Sequence, residues 1–290
     1  MKPIATFSIV AHDPVRQEWG VAVQSKFLAV GAVVPWAKAG VGAVATQAYA
    51  KVSYGVEGLE LMAGGKTAVE TVAHVTAADD ERERRQVGMV DAQGGAATFT
   101  GTACHEWAGG IAGDGFACQG NLLHPGTVET MAAVFEGTRK GGGTLAYWLL
   151  TALAAGQEAG GDKRGRQSAA LLVVREGGGY GGDNDRYLDL RVDDNPFPIR
   201  KLSDLLRLHR LYRGEVKEGD LIPLEGVALS LQKLLMRTRC YDGVLDGRFT
   251  PETRESLRTL IGIENLEDRW DGTGDLIDKV VVEFLLEKYA

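Results

Sequence analysis

The chain has 290 residues, 32 Lys and Arg against 39 Asp and Glu, a formal net charge of −7, and only 3 cysteines. A hydrophobic fraction of 44% excludes wholesale disorder. Three cysteines cannot staple a chain of this length, and an acidic balance speaks against nucleic acid, which wants a basic face. Glycine is the departure from an ordinary composition: 39 residues, 32 of them in 1–216 and 7 in 217–290. Charge divides at the same place, with 22 basic and 24 acidic residues against 10 and 15. Two differently built domains are therefore expected, 1–213 and 224–290, joined by a polar linker at 214–223.

In chain order, residues 6–11 and 19–24 are β-branched runs around the Asp13-Pro14 turn, and they predict a hairpin. Residues 32–36 and 40–47 read as further strands. Residues 56–63 and 67–77 read as helices, interrupted by Gly64-Gly65. Residues 85–91 and 96–101 predict a second hairpin around Gln93-Gly94-Gly95. Residues 108–121 are glycine-rich and extended. Helices follow at 127–136 and 145–158, then strands at 168–175 and 186–192. Residues 199–212 form an amphipathic helix, with Leu202, Leu205, Leu206 and Leu208 near one face. Beyond the linker, 227–237, 251–260 and 275–289 read as three helices around an Asp-Gly loop at 241–247, and Thr250-Pro251 marks a helix start. Strands and helices come in blocks. That order predicts an α+β fold of stacked sheets with helices outside, rather than a doubly wound α/β fold.

The first residues lack the apolar core of a signal peptide, and the run 27–37 is too short for a membrane span and contains Pro35. A cytoplasmic protein with reduced thiols and no membrane partner is expected. Gly40-Val41-Gly42 with Ala45 matches a dinucleotide pattern but sits in Val-rich strand, not at a strand-to-helix turn. Gly141-Gly142-Gly143-Thr144 lacks the lysine of a phosphate loop, and Asp183-Asn184-Asp185 lacks the rest of a calcium loop. The five histidines form no ligand pair. No metal and no cofactor are expected.

Six stretches carry a resemblance: TFSIVA at 6–11, SKFLAVGAVVPW at 25–36, GVGAVATQ at 40–47, ACQGN at 117–121, GDKRGRQS at 161–168 and RYLDLRVD at 186–193. Together they resemble the domain of unknown function family 1028 over about residues 5–213. That family is grouped with the N-terminal-nucleophile hydrolases. The resemblance implies a four-layer αββα sandwich and a nucleophile at the start of the mature chain. A second resemblance covers 224–290. Leu231-Gln232, Tyr241-Asp242-Gly243, Asp246-Gly247-Arg248-Phe249 and Pro251-Glu252-Thr253 are similar to a peptidoglycan-binding module. It implies peptidoglycan or its fragments as a partner. A packing or oligomer-forming appendage is the favoured reading, and the apolar run 280–286 suits a homo-oligomer.

The hydrolase class uses the side chain of its first residue as nucleophile and that residue's α-amine as base. Such an amine has a pKa of about 8, near working pH. Thr6 opens the first matched strand and is the candidate nucleophile. Met1–Ala5 precede it, so the leader is removed at Ala5-Thr6, or the true start lies later, or the mechanism is not used. Lys26 would lower the amine pKa and attract an anionic substrate, and Ser25 beside it would donate a hydrogen bond. Lys38 is a weaker candidate of the same kind. Gln47, Gln119 and Asn121 are amides in glycine- and alanine-rich strands. They suit an oxyanion, a substrate amide, or their own backbone. Asp162, Arg164, Arg166 and Gln167 lie in one loop, where arginine would grip a carboxylate or tie the loop to Asp162. Asp189, Arg191 and Asp193 alternate along a strand and read as a salt-bridge ladder. The expectation is an amide (C–N) hydrolase acting on a small anionic substrate. The alternatives are a non-catalytic small-molecule binding protein on the same fold, or a protein that binds cell-wall fragments.

Overall fold

The computed structural model describes residues 6–214, 216 and 218–290. Met1–Ala5, and with them the removal of a leader, lie outside the described residues. The chain divides into two compact units, Met1–Asp204 and Leu205–Ala290.

Among its described residues, the first unit contains ten strands in two antiparallel sheets. They are β1 (Thr6–Asp13), β2 (Glu18–Ser25), β3 (Pro35–Lys38), β4 (Gly42–Ala48), β5 (Arg85–Asp91), β6 (Ala96–Thr100), β7 (Gly109–Gly113), β8 (Phe116–Asn121), β9 (Ser168–Val174) and β10 (Arg186–Val192). One sheet has six strands in the order β10-β9-β2-β1-β8-β7, and the other has four in the order β3-β4-β5-β6. Helices α1 (Ser53–Ala63) and α2 (Ala68–Ala77) pack against the four-stranded sheet. Helices α3 (Thr127–Lys140) and α4 (Leu145–Glu158) pack against the six-stranded one, and the remaining faces of the sheets meet each other.

Every residue of β1, β2, β4 and β9 is buried, because both faces of these strands are covered. Alternation then decides what each face carries. Val10, Val21, Val23, Ala43, Ala45 and Val90 fill the space between the sheets. Val44, Tyr54, Met62, Val72, Val75 and Met89 form the layer between the four-stranded sheet and its helices. Local chemistry fixes the ends: Thr67 and Glu70 make a reciprocal capping box on α2, and the Thr144 hydroxyl accepts the Tyr147 N–H at the start of α4.

Three local expectations are revised. The strand expected at 32–36 begins only at Pro35; residues 30–32 form a 3-10 turn instead. Pro35 cannot donate to a ladder, and it opens an edge strand, where that costs least. The extended stretch at 108–121 folds back on itself as β7 and β8, through Gly115 at φ 74°. The helix expected at 56–63 starts three residues earlier, at Ser53.

Helix α5 (Pro198–Arg213) runs across the division, and the second unit adds α6 (Leu224–Arg237), α7 (Pro251–Ile263) and α8 (Lys279–Lys288). Leu231, Leu235, Leu257, Leu260, Val281 and Leu285 form its core. The helix expected over 275–289 begins later than predicted, because Asp278 is its N-cap and accepts the Val280 N–H. The residues before the cap form β12 (Leu276–Asp278), which pairs with β11 (Leu221–Pro223). The end of the expected linker is therefore strand. Among the described residues, no helix is long and apolar enough to cross a membrane.

Candidate functional site

At one end of the six-stranded sheet the apolar layer between the sheets gives way to hydroxyls and amides. Thr6 lies opposite Ser25 on β2 and opposite Asn121 on β8, and Ser25 lies opposite Ser168 on β9. Two residues along, Ser8 lies opposite Gln119. Counting by twos from Val10, Val23 and Ala117 puts Thr6, Ser8, Ser25, Gln119 and Asn121 on the face that meets the other sheet. The same count from Ala45 and Val90 puts Gln47, Gly88 and Gln86 on the facing side. Thr6, Ser8, Ser25, Gln47, Gln86, Gln119 and Asn121 are all fully buried. The Thr6 hydroxyl donates to Ser25 Oγ at 3.1 Å.

The orientation of the amides follows from groups that can only accept. Gln86 Nε2 donates to the carbonyls of Gly120 at 2.8 Å and Gly109 at 3.2 Å, and to Thr100 Oγ1 at 2.9 Å. Carbonyls have no proton, so this end of Gln86 is nitrogen. Its Oε1 then accepts from Gln47 Nε2 at 2.8 Å and Asn121 Nδ2 at 2.9 Å. Gln47 Nε2 also reaches the carbonyl of Thr6 at 3.4 Å. Gln47 Oε1 accepts the Ser8 hydroxyl at 2.7 Å. The single Ser8 proton is thereby used, so Ser8 Oγ accepts from Gln119 Nε2 at 2.7 Å.

The relay ends in two oxygens, Gln119 Oε1 and Asn121 Oδ1, that have no donor among the described residues. Gln119 Oε1 lies against Gly88, where a Cβ would fall 1.9 Å from it. Glycine at 88 makes room for this amide, and β5 covers its oxygen. Asn121 Oδ1 is the buried acceptor left in the row with Thr6. A buried acceptor without a donor costs about 1–3 kcal/mol. Gln47, Gln119 and Asn121, the amides suggested by sequence as oxyanion donors, thus each direct an N–H at a protein acceptor.

The loop at 160–168 closes the same edge. The Asp162 carboxylate is buried and accepts the main-chain N–H groups of Lys26 at 3.1 Å and Arg164 at 2.9 Å. Arg164 also grips it in a fork, Nε to Oδ1 at 3.1 Å and Nη2 to Oδ2 at 2.9 Å. Asp162 and Arg164 therefore tie the loop to the end of β2. The Gln167 N–H donates to Ser25 O at 3.0 Å, while its side chain leaves the row for Asp194 Oδ1 at 3.0 Å. Arg166 lies over the ring of Phe197. The Lys26 side chain is exposed just past Ser25. Lys38 is at the other end of β3, beside Trp36 and Glu60, and does not join this group. Ser168 holds its neighbours: it accepts the Val30 N–H at 3.1 Å and donates to the Phe27 carbonyl. Arg191 pairs with Asp189 two residues away on β10, within the expected ladder, and Arg186, three residues from Asp189, pairs with it as well.

Sequence reading missed Ser8 and Gln86. A signal was available: Gln86 is in phase with Val90 along β5 and lies directly opposite Gln47. Two non-glycine residues with left-handed backbone, Ala48 at φ 64° and Leu122 at φ 55°, immediately follow Gln47 and Asn121. Leu122 is held there by its N–H to His105 O at 2.8 Å and its carbonyl from Lys163 N–H at 3.0 Å. Burial pushes the Cys104 thiol up to about 11 and the Cys118 thiol further still, so neither is a thiolate near neutral pH. His12, whose pKa burial lowers, stacks on Trp19 toward the far end of β1, about 20 Å along the strand from Thr6.

Residues 6–202, which hold every member of the relay, match the model of a family described as "Family of unknown function (DUF1028)". The chain belongs to that family. A solved DUF1028 structure, protein SPO2555 from Silicibacter pomeroyi, is 31% identical with a TM-score of 0.65, covering 72% of this chain and 88% of that one. Residues 216–285 match a second model, "Putative peptidoglycan binding domain". No curated protein matches the chain.

Proposed function

We propose that this DUF1028 protein is an N-terminal-nucleophile hydrolase of an amide bond, with Thr6 as nucleophile once Met1–Ala5 have been removed. One observation carries the reading. Thr6 opens a central strand and lies between two facing sheets, with a hydroxyl partner on one side and an unmatched amide oxygen on the other. Helices on the outer face of each sheet agree with the αββα sandwich of that hydrolase class. Strained backbone beside Gln47 and Asn121 fits a functional edge.

The chemistry balances with this chain's own groups. The freed Thr6 amine takes the Oγ proton as Oγ attacks the substrate carbonyl carbon. The C–N bond breaks as that proton passes to the leaving nitrogen, which leaves an ester on Thr6. Water then attacks the ester, gives its proton through the same amine, and releases the acid and the free hydroxyl. Ser25 Oγ, 3.1 Å from Thr6 Oγ, orients the nucleophile. The exposed Lys26 side chain brings positive charge to the edge and favours an anionic substrate. Mass spectrometry of active protein tests the reading. An N-terminus at Thr6 is the expected result, and full activity in protein that retains Met1 overturns it.

The match at 216–285 favours a second role, binding of peptidoglycan or its fragments by the second unit. Full-length protein should then co-sediment with insoluble peptidoglycan. Protein that stays wholly in the supernatant at low and moderate salt rules this role out.

A further inference from the structure

We infer that Asn121 Oδ1 accepts the N–H of the amide being cleaved, so the site selects primary and secondary amides over tertiary amides and esters. This rests on Thr6 being the nucleophile.

The inference comes from the direction of the relay. The carbonyls of Gly109 and Gly120 fix Gln86, Gln86 Oε1 takes the Asn121 N–H, and the free end of Asn121 is therefore oxygen. An oxygen can only accept, so its ligand must donate. The other unmatched oxygen, on Gln119, lies against Gly88 of the facing sheet, and Gln119 is opposite Ser8 rather than Thr6. Asn121 lies directly opposite Thr6 on the neighbouring strand and on the same face. Cross-strand neighbours have Cβ atoms about 5 Å apart, which suits one group that holds the nitrogen and one that attacks the carbon. An ester presents no N–H, and an N-alkylated amide presents a methyl group in its place. Either would leave the buried oxygen unmatched, and a site built for a hydrogen-bonding group rejects analogues that lack it.

Three chromogenic substrates with one acyl group test this: glutaryl p-nitroanilide, its N-methyl derivative and the p-nitrophenyl ester. Each kcat/KM is referred to that compound's own alkaline hydrolysis rate. The wild-type enzyme should prefer the anilide to its N-methyl derivative by about tenfold to a hundredfold. In Asn121→Ala that preference should fall to within about twofold, and a cooperative thermal transition measured by circular dichroism shows whether the variant folds. If the variant does not fold, the wild-type ratio decides alone: no preference for the N–H compound overturns the inference. An unchanged ratio in a folded Asn121→Ala also overturns it and leaves Thr6 as nucleophile untouched. If no compound is turned over and Met1 stays attached, the nucleophile reading and this inference fall together.

Discussion

Two buried amides, one in each unit, separate a motif that builds a fold from one that leaves a group to act. Gln232 lies in the stretch that resembles a peptidoglycan-binding module. Its Nε2 donates to Asp246 Oδ1 at 3.0 Å and Arg248 O at 3.1 Å, and its Oε1 accepts the Gly247 N–H at 2.9 Å. Tyr241 donates to Val244 O at 2.9 Å in the same loop. Both ends of Gln232 are matched within the loop it staples, so its role is to hold the turn. Asn121 is equally buried, but only its nitrogen is matched. A recurring buried amide is thus no sign of a ligand until its donors and acceptors have been followed to their partners.

The largest expected effect is at Thr6. Thr6→Ala should lower turnover by at least about a thousandfold while its thermal midpoint stays near that of the wild type, since the residue contributes one hydroxyl to the row. Comparable turnover in this variant would place the site elsewhere. Next comes Gly88→Ala, whose new methyl would occupy the position of Gln119 Oε1 and push the amide off Ser8. A loss of about 2–4 kcal/mol is expected by denaturant titration. The pair with Gln119→Ala should be less destabilised than the two single changes added together, because the shortened side chain vacates that space. Strict additivity would mean that the glycine answers to something other than Gln119. Gln232→Ala should cost about 2 kcal/mol by leaving the turn's groups unmatched. Calorimetry should find that loss in the second unit, with hydrolysis unchanged.

Much of this was legible in the sequence, and the reason is period. The β1 and β2 runs, the helix blocks and the acidic C-terminal unit follow from alternation, caps and composition. Thr6, Ser25, Gln47, Gln119 and Asn121 share one edge because each sits within two residues of the end of a strand, where polar residues interrupt an apolar run. What alternation cannot show is which strands face each other across the sheets. Gln86, paired with Gln47 within its own sheet, joins Asn121 only through that facing, and the side chain of Gln167 leaves the row only through the position of Asp194. The direction of an amide is likewise fixed by distant carbonyls, so oxyanion donor and N–H acceptor look alike in a sequence.

The smallest expected effect sharpens the contrast from a third cluster, where polar groups are matched and also charged. Tyr54 donates to Asp79 Oδ2 at 2.8 Å, Arg85 Nε donates to the same oxygen at 3.0 Å, and the Glu81 N–H caps Oδ1 at 3.0 Å. Burial pushes the Asp79 carboxyl up, but the hydrogen bonds from Arg85, Tyr54 and Glu81 outweigh it and hold its pKa at about 2, below the ordinary 3.8. A carboxyl lowered on folding contributes stability that is complete above its unfolded pKa and is lost as pH falls through the folded one. Stability should therefore decline between about pH 4 and pH 2 partly through Asp79. Asp79→Asn should be less stable than the wild type at pH 6, and the gap should narrow toward pH 2 as the wild-type carboxyl takes up its proton. A gap that stays constant across that window would mean the cluster acts through packing alone. Asn121 should show no such pH dependence, because nothing in its relay gains or loses a proton there; its unmatched oxygen is neutral and waits for a donor rather than for a charge.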